Sequence, residues 1–144
     1  MGQQPSEVTV RFYHPANKTQ TGWSPLYGTT NSTGYFTVLD VTPGLYDIKV
    51  KNCTDLTEVR RGINLTAGGP PYYQEFGASR EGDAFEDNMI TVKDLNRVNV
   101  AYGTTPSSPS GWDPRCDFNR DQMITIKDVN TVNVNYGKSG TPYP

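Results

Sequence analysis

Apolar and polar residues alternate along the first half of the chain, which is the period of a β-strand with one buried face. The alternating runs cover residues 7–13, 35–41, 45–50, 58–65 and 72–76. Turn residues separate these runs, and no helix-length segment stands between them. The pattern therefore predicts a mostly β sandwich built from five or more short antiparallel strands.

A duplicated segment dominates the second half of the chain. Residues 83–103 and 117–137 are identical at 13 of 21 positions at a fixed offset of 34 residues. Acidic or amide side chains stand at loop positions 1, 5 and 12 of both copies, and also at position 3 of the second copy. Alternate residues of a tightly coiled loop direct their oxygen atoms at one centre, and Ca²⁺ prefers six to eight oxygen ligands at about 2.3–2.6 Å. The spacing predicts two calcium sites.

The predicted ligands follow from these loop positions. In the first loop they are the carboxylates of Asp83, Asp87 and Asp94 and the carbonyl group of Met89. In the second loop they are the side chains of Asp117, Asn119, Asp121 and Asp128 and the carbonyl group of Met123. Phe85 occupies position 3 of the first loop, so water or a backbone carbonyl group would have to complete that site. The competing interpretation is that Asp and Asn cluster in ordinary surface turns.

Each loop continues into a segment whose periodicity is ambiguous. Residues 95, 98 and 102 share one face of a helix, yet Val98-Asn99-Val100 also alternates as a strand would. We predict a helix in each copy because a calcium loop normally opens one after its last ligand. Gly103 and Gly137 are placed as C-terminal stops. Ile90 and Ile124, at loop position 8, are expected to pair the two loops through a short strand.

Composition and charge change near Arg80, which predicts domains at residues 1–80 and 81–140 and a tail at 141–144. Nine acids and six bases follow that boundary, against six acids and seven bases before it. The net charge of −2 offers no electrostatic case for nucleic acid or an anionic membrane. Apolar runs also stay short of the roughly 18 to 20 residues that span a bilayer, so membrane insertion is not expected.

Catalytic residue constellations are missing from the sequence. The one histidine, His14, has no serine or cysteine nucleophile near it in a recognisable turn. The carboxylates that could form a glycosidase pair are better explained as metal ligands. Neither a CxxC motif nor a glycine-rich phosphate loop occurs. We therefore expect a protein that is not an enzyme.

Two further patterns predict an extracellular or cell-surface location. All four asparagines before residue 80 stand in N-glycosylation acceptor motifs: Asn17, Asn31, Asn52 and Asn64. Cys53 and Cys116 lie one in each half, and in an oxidising compartment they are expected to form a disulfide. Two free thiols, bridges between neighbouring subunits and unmodified asparagines are the alternatives.

Two family resemblances extend these expectations. Residues 32–50 resemble the carboxypeptidase-regulatory-like, or transthyretin-like, Greek-key sandwiches through Gly34, Phe36, Pro43, Gly44, Tyr46, Ile48 and Val50. That resemblance implies a non-catalytic spacer or adhesion scaffold. Residues 82–140, whose copies end in Asn-Val-Ala-Tyr-Gly and Asn-Val-Asn-Tyr-Gly, look like a dockerin type I module with paired EF-hand-like loops. This second resemblance implies two calcium ions, a pseudo-twofold pair of helices and a cohesin partner.

Three functions remain open from the sequence. The first is a calcium-stabilised structural or assembly protein of a cell-surface structure or filament, which associates with itself or with another surface protein. The second is a dockerin module that anchors an exported protein to a cohesin scaffold. The third is a carbohydrate-binding module that uses exposed aromatic rings, for which the candidates are Trp23, Tyr27, Tyr72 and Tyr73.

Overall fold

The computed structural model describes residues 7–31, 33–52, 54–68, 72–76 and 80–143. Its strands are β1 (Glu7–Tyr13), β2 (Leu26–Thr29), β3 (Gly44–Asn52) and β4 (Glu58–Leu65), and its helices are α1 (Val92–Ala101) and α2 (Ile126–Asn135). A short 3₁₀ turn covers Pro114–Cys116. The chain divides into two compact units. We call them the sheet unit (residues 7–52, 57–76 and 141–143) and the helix unit (residues 54–56 and 80–140), within the described ranges.

The sheet unit contains one antiparallel four-stranded sheet in the order β2-β1-β3-β4. Alternate residues of the two central strands are buried on one face, as the period-2 pattern requires. These residues are Val8, Val10, Phe12, Tyr46, Ile48 and Val50. The predicted strands at 7–13, 45–50 and 58–65 are therefore confirmed.

The other layer of the predicted sandwich differs from expectation. Residues 35–41 and 72–76 are not strands, although Phe36, Val38, Val41 and Phe76 pack against the buried face of the sheet. Positive φ angles at Gly34 and Asp40 bend the chain at both ends of the first segment. In the described residues this layer is thus packed but has no ladder of backbone hydrogen bonds.

Strand β2 was not predicted because it is short and contains a glycine. A Cβ atom on Gly28 would lie 2.9 Å from the ring of Phe36, so the close approach of that ring requires glycine at this position. The contact that explains Gly28 comes from a residue eight positions away. The alternation of apolar and polar residues cannot predict this contact.

The two units also depart from the predicted domain boundaries. Residues 54–56 belong to the helix unit: Leu56 N donates to the carbonyl oxygen of Arg80 at 3.0 Å, and its side chain lies in that unit's core. Residues 141–143, expected to be a tail, belong to the sheet unit. Thr141 N donates to Thr57 O at 2.9 Å, and the ring of Tyr143 lies 4.4 Å from that of Tyr13.

Both predicted helices are confirmed, and each begins with the same capping box. The N-caps are Thr91 and Thr125, which follow loop position 8 by one residue. Each helix ends before a glycine with a φ of 82°, as the predicted C-terminal stops require. Their inner faces bury Val98 and Val132 completely. Neither helix of the described chain is long and apolar enough to cross a membrane.

The two loops do not pair with each other as predicted. Instead, Gly103 N donates to Ile124 O at 2.8 Å, and Ile124 N donates to Thr104 O at 3.0 Å. The other loop makes the equivalent bonds, because Gly137 N donates to Ile90 O and Ile90 N to Lys138 O. Each loop therefore pairs with the chain that follows the other copy's helix. The exchange holds the two copies together through both backbone and core.

Candidate functional site

The structure brings the three predicted carboxylates of each loop together. Asp83, Asp87 and Asp94 have oxygen atoms that all lie within 4.8 Å of one another. The second loop gathers its own set in the same way, with Asp117, Asp121 and Asp128. In each set the first and last residues are buried and the middle one is exposed. Such a set of hard oxygen donors, open to solvent on one side, suits a divalent cation such as Ca²⁺.

The loop backbone turns sharply to produce this clustering. Loop positions 4 and 6 have left-handed φ angles in both copies: 59° at Glu86, 64° at Asn88, 58° at Arg120 and 66° at Gln122. Glycine is the ordinary residue for that conformation, yet neither loop has one at these positions. Hydrogen bonds from the backbone to the loop carboxylates offset the strain.

The first carboxylate of each loop accepts bonds from the turn. In the second loop, Asp121 N and Gln122 N donate to the two oxygens of Asp117 at 3.2 and 2.9 Å. In the first loop, the equivalent bonds to Asp83 are 3.1 and 2.9 Å. The carboxylates are therefore oriented by the protein itself. A carboxylate oxygen retains a second lone pair for a cation after accepting one hydrogen bond.

The last carboxylate of each loop has two structural roles. Asp128 accepts from Thr125 N at 2.9 Å as part of the capping box, and its other oxygen accepts from Phe118 N at 2.9 Å. Asp94 does the same with Thr91 N at 2.8 Å and Phe85 N at 3.2 Å. Both aspartates are completely buried. Each loop is thus tied to the start of its helix by one side chain.

Burial and like charge make the second loop electrostatically costly. Burial raises the pKa of Asp117 first, and the neighbouring carboxylates of Asp128 and Asp121 raise it further against the backbone hydrogen bonds. Burial likewise raises the pKa of Asp128. Ionisation of these groups therefore opposes folding at neutral pH. A bound divalent cation would remove that cost.

The loops differ at position 3. Asn119 Nδ2 donates to Asp121 Oδ2 at 3.0 Å, so the amide already contacts the carboxylate cluster. Phe85 offers no oxygen from its side chain; its ring lies 4.9 Å from the guanidinium carbon of Arg97. Arg97 in turn donates from Nε to Asp113 at 2.6 Å. This arrangement was not predicted, since no sequence motif connects three residues so far apart.

Met89 and Met123, whose carbonyl groups were predicted as ligands, occupy equivalent positions. Their amide groups donate to the middle carboxylates, Asp87 and Asp121, at 3.1 and 3.0 Å. Both methionine side chains are half-exposed. The carbonyl groups remain predicted ligands.

A half-buried acid of the helix unit outside the two loops, Glu81, was not anticipated. Burial, together with the hydrogen bond and the charge of Asp55, raises the pKa of Glu81 to about 9. The hydroxyl group of Thr54 also donates to Glu81. The raised pKa favours the protonated form of Glu81, while the guanidinium group of Arg120, 4.0 Å from Glu81 Oε1, favours the ionised form. Because these residues are 26 or more positions apart, only the folded chain brings them together.

The cysteine prediction is not supported. The Cys116 thiol is free and completely buried, and burial raises its pKa to about 12. Its sulfur lies 3.6 Å from Asp113 Oδ2 and bridges no other sulfur. Cys53 lies outside the described residues. The predicted Cys53–Cys116 bridge is thus absent from this structure.

Three of the four predicted glycosylation positions are exposed. Asn17, Asn31 and Asn64 lie at the surface of the sheet unit, whereas Asn52 is half-buried. The Oδ1 atom of Asn17 accepts from the backbone and hydroxyl groups of Thr19 at 3.1 and 2.7 Å. Asn31 bonds with Thr33 in the same way, at 2.9 and 2.8 Å. Glycosylation itself stays a prediction.

The predicted aromatic platforms divide into two groups. Trp23 packs against the core of the sheet unit, with its ring 4.9 Å from Phe12 and 5.6 Å from Tyr46. It is therefore a structural residue. Tyr27, Tyr72 and Tyr73 are more than half exposed.

A comparison with protein-family models found no match to the chain, and a comparison with curated proteins found none either. Among solved structures, the chain is similar to a chain in a C-terminal interface mutant of a type II cohesin–X-dockerin complex from Acetivibrio cellulolyticus. The TM-score is 0.66 and the sequence identity 24%, over 94% of this chain and 83% of that one. An N-terminal interface mutant of the complex gives a TM-score of 0.62 with the same identity and coverage. The likeness shows a shared fold.

Proposed function

We propose that this chain is a non-catalytic assembly module that binds a protein partner through the outer faces of α1 and α2 and is stabilised by calcium. One observation carries the proposal: the duplicated loop-helix unit presents the same acid cluster and the same exposed apolar side chains twice. Its two copies therefore have matching sites for a cation and matching surfaces for a partner.

The exposed apolar side chains support the partner-binding part of the proposal. Helix α1 leaves Val92 50% and Val100 83% exposed, and helix α2 leaves Ile126 55% and Val134 74% exposed. Helices of this size normally direct their aliphatic residues into the core. Apolar residues are thus exposed at equivalent places on both helices, so each helix offers an apolar surface to a partner.

The calcium part of the proposal rests on the donor set. Asp83, Asp87 and Asp94 would hold one ion with the carbonyl group of Met89. The second ion would be held by Asp117, Asn119, Asp121 and Asp128 with the carbonyl group of Met123. A bound cation supplies positive charge that offsets the repulsion within each cluster. The protein supplies oriented carboxylates. Because Asp94 and Asp128 belong to both a loop and a capping box, a cation that stabilises the loop also stabilises the N-terminus of the helix.

We favour a cohesin-class partner over self-association. The solved chains of similar fold belong to cohesin–X-dockerin complexes, and the likeness extends over 94% of this chain. It thus includes both the sheet unit and the helix unit. We further propose that the sheet unit and its packed layer act as a sandwich-type spacer. An extracellular, cell-surface location would match the millimolar calcium that such loops need and the four glycosylation motifs.

Self-association is the second candidate, and the same apolar side chains favour it. Matching surfaces on both copies would let two chains meet face to face. This alternative predicts a calcium-dependent dimer or polymer of the chain alone, whereas the favoured proposal predicts a monomer.

The test combines a size measurement with a binding measurement on the full chain. We expect a monomer by analytical ultracentrifugation with calcium and with chelator, and calcium-dependent capture of a purified type II cohesin domain in calorimetry. Val100→Asp with Val134→Asp should abolish capture, while Ser110→Asp, also exposed, serves as the matched control. Capture that survives the paired substitution would contradict the helix-face proposal. A calcium-dependent oligomer that the pair disrupts would assign these faces to self-association.

A further inference from the structure

The outer face of the sheet unit carries a group of cations that the proposed function does not use. Thr9 and Arg11 of β1 alternate with the buried Val8 and Val10, so their side chains point away from the core. In the neighbouring strands, Tyr27 and Lys51 are both paired with Thr9, and Lys49 is paired with Arg11. We call Tyr27, Thr9, Lys51, Arg11 and Lys49 the cationic face.

Like charges meet directly on this face. Arg11 and Lys49 stand opposite each other on neighbouring strands, where Cα atoms are about 4.5–5.5 Å apart. Lys51 follows Lys49 by two residues on the same side of β3, a distance of about 7 Å. Burial lowers the pKa of Lys49, and the charges of Arg11 and Lys51 lower it further. Directly opposed like charges destabilise a sheet.

The other end of the same face shows how the protein compensates cations elsewhere. Asp47 is buried there and forms ion pairs with Lys18 at 3.2 Å and Arg61 at 3.7 Å. It also accepts a hydrogen bond from the hydroxyl group of Tyr143 at 2.8 Å. Among the described residues, the side chains of Arg11 and Lys49 make no hydrogen bond and no ion pair. Asp47 is the acid nearest to the Arg11–Lys49 pair in register, two residues from Lys49, and it is already engaged by these three contacts. Toward the other end of the face, Glu7 is exposed at the end of β1, two residues beyond Thr9.

The face also carries a flat aromatic ring. Tyr27 is 59% exposed and stands in one row with Thr9 and Lys51 across three strands. On three neighbouring strands, Tyr27 thus offers a ring for stacking, Thr9 a hydroxyl group for hydrogen bonding, and Lys51 a positive charge. This row lies next to the Arg11–Lys49 pair, since Thr9 and Arg11 are two residues apart on β1 and their side chains are neighbours on the same face.

We propose that the cationic face binds an acidic polysaccharide. Its carboxylate or sulfate groups lie against Arg11, Lys49 and Lys51, and a sugar ring stacks on Tyr27. Charge complementarity carries the choice of an anion, because the chain as a whole has a net charge of −2 while this face concentrates cations. The exposed ring in register with a lysine favours a sugar over an acidic peptide. A peptide has no backbone pairing available at β1 and β3, which carry the cations, since both strands are hydrogen-bonded on both sides.

The experiment measures binding of the full chain to hyaluronate and dextran sulfate as acidic polysaccharides, to neutral dextran, and to poly-glutamate. We expect binding to an acidic polysaccharide that weakens with added salt, and none to neutral dextran. Arg11→Gln and Lys49→Gln should each weaken it by about tenfold, the loss of one charge-assisted contact. Tyr27→Ala should weaken polysaccharide binding and leave any poly-glutamate binding unchanged.

Matched controls separate this face from general charge. Lys93→Gln and Lys127→Gln remove the same charge from exposed positions of the helix unit and should leave binding unchanged. The variant Lys49→Gln should be at least as stable as the original chain in thermal unfolding, because it removes a like-charge pair. Equal losses in the control variants would overturn the proposal, as would binding to none of the acidic polysaccharides. Poly-glutamate binding that matches polysaccharide binding and ignores Tyr27→Ala would replace the sugar by an acidic protein.

Discussion

Removal of calcium is predicted to destabilise the helix unit strongly. The experiment replaces calcium by an excess of chelator at pH 7. Without a cation, the ionised carboxylates of each loop face one another within 4.8 Å. Asp117 and Asp128 are both buried, so water screens their repulsion poorly. The unfolded chain separates these charges and relieves the repulsion.

The distance between the carboxylates in the folded chain sets the size of their repulsion. Two unit charges 4.8 Å apart repel by roughly 3.5 kcal/mol at an effective dielectric constant of about 20. The affinity for calcium already includes relief of this repulsion, so the two energies are not added: calcium at 100 times its dissociation constant stabilises the fold by about 2.7 kcal/mol per site. In a unit of this size, each kcal/mol shifts the melting temperature by roughly 4–8 °C. One occupied site should therefore raise it by roughly 10–20 °C.

Far-UV circular dichroism during heating measures the effect, since both helices belong to the helix unit. Magnesium at the same concentration serves as the control, because it prefers a smaller octahedral set of ligands. The pKa values of Asp117 and Asp128 are raised in the folded chain without metal, so protonation relieves the repulsion below those pKa values. The difference between calcium and chelator should then shrink as the pH falls from 7 toward 4.

Two results would contradict this prediction. The first is a melting curve that is identical in calcium and in chelator, with no calcium found in the purified protein by atomic spectroscopy. The second is a calcium effect that grows as the pH falls, since it would mean that the loop carboxylates are not the groups that bind.

Four further predictions test separate parts of the structure. Asp128→Asn should reduce calcium affinity more than Asp94→Asn in calorimetry, because the second loop has the fuller oxygen set; equal losses would indicate an unidentified ligand in the first loop. Ile124→Ala removes a completely buried side chain and should cost about 2–5 kcal/mol in denaturant unfolding, whereas a loss below about 1 kcal/mol would show that the core is loosely packed. Burial would raise the pKa of Asp47, but bonds from Gly62, Tyr143 and Lys18 outweigh it and lower the pKa below 3.8. The stability that Asp47 contributes should therefore be present above pH 4 and be lost as the pH falls through the folded pKa. The variant Asp47→Asn should lack this contribution both above and below that pKa. Cys116 should react with a thiol reagent only after unfolding, and rapid labelling of the native chain would contradict its burial.

The sequence alone determined the elements whose signals are local. Strands at 7–13, 45–50 and 58–65 follow from alternation, because one face of each contacts the core. The helices required a different signal, since Val98-Asn99-Val100 fits either period. The capping residues Thr91 and Asp94, together with Gly103, decide for a helix by satisfying backbone groups at its two ends.

The clustering of the loop carboxylates was also readable from the sequence. Their spacing is set within twelve consecutive residues, and the duplication supplies the same spacing twice. The backbone conformation of the loops was less accessible, because Asn88 and Gln122 adopt left-handed φ angles usually taken by glycine. The many amide bonds to Asp83 and Asp117 explain how the loops maintain that conformation.

The pairing of distant segments depends on contacts that exist only in the folded chain. Strand β2, the layer formed by residues 35–41, and the return of residues 141–143 to the sheet unit all depend on partners elsewhere in the chain. The bonds of Ile90 and Ile124 to the opposite copy are of the same kind. A hydrogen bond between distant segments produces no periodic pattern in the sequence of either segment. The pattern of apolar and polar residues indicates only which side chains are buried. The opposed charges of Arg11 and Lys49 likewise became visible only once the register of β1 and β3 placed them face to face.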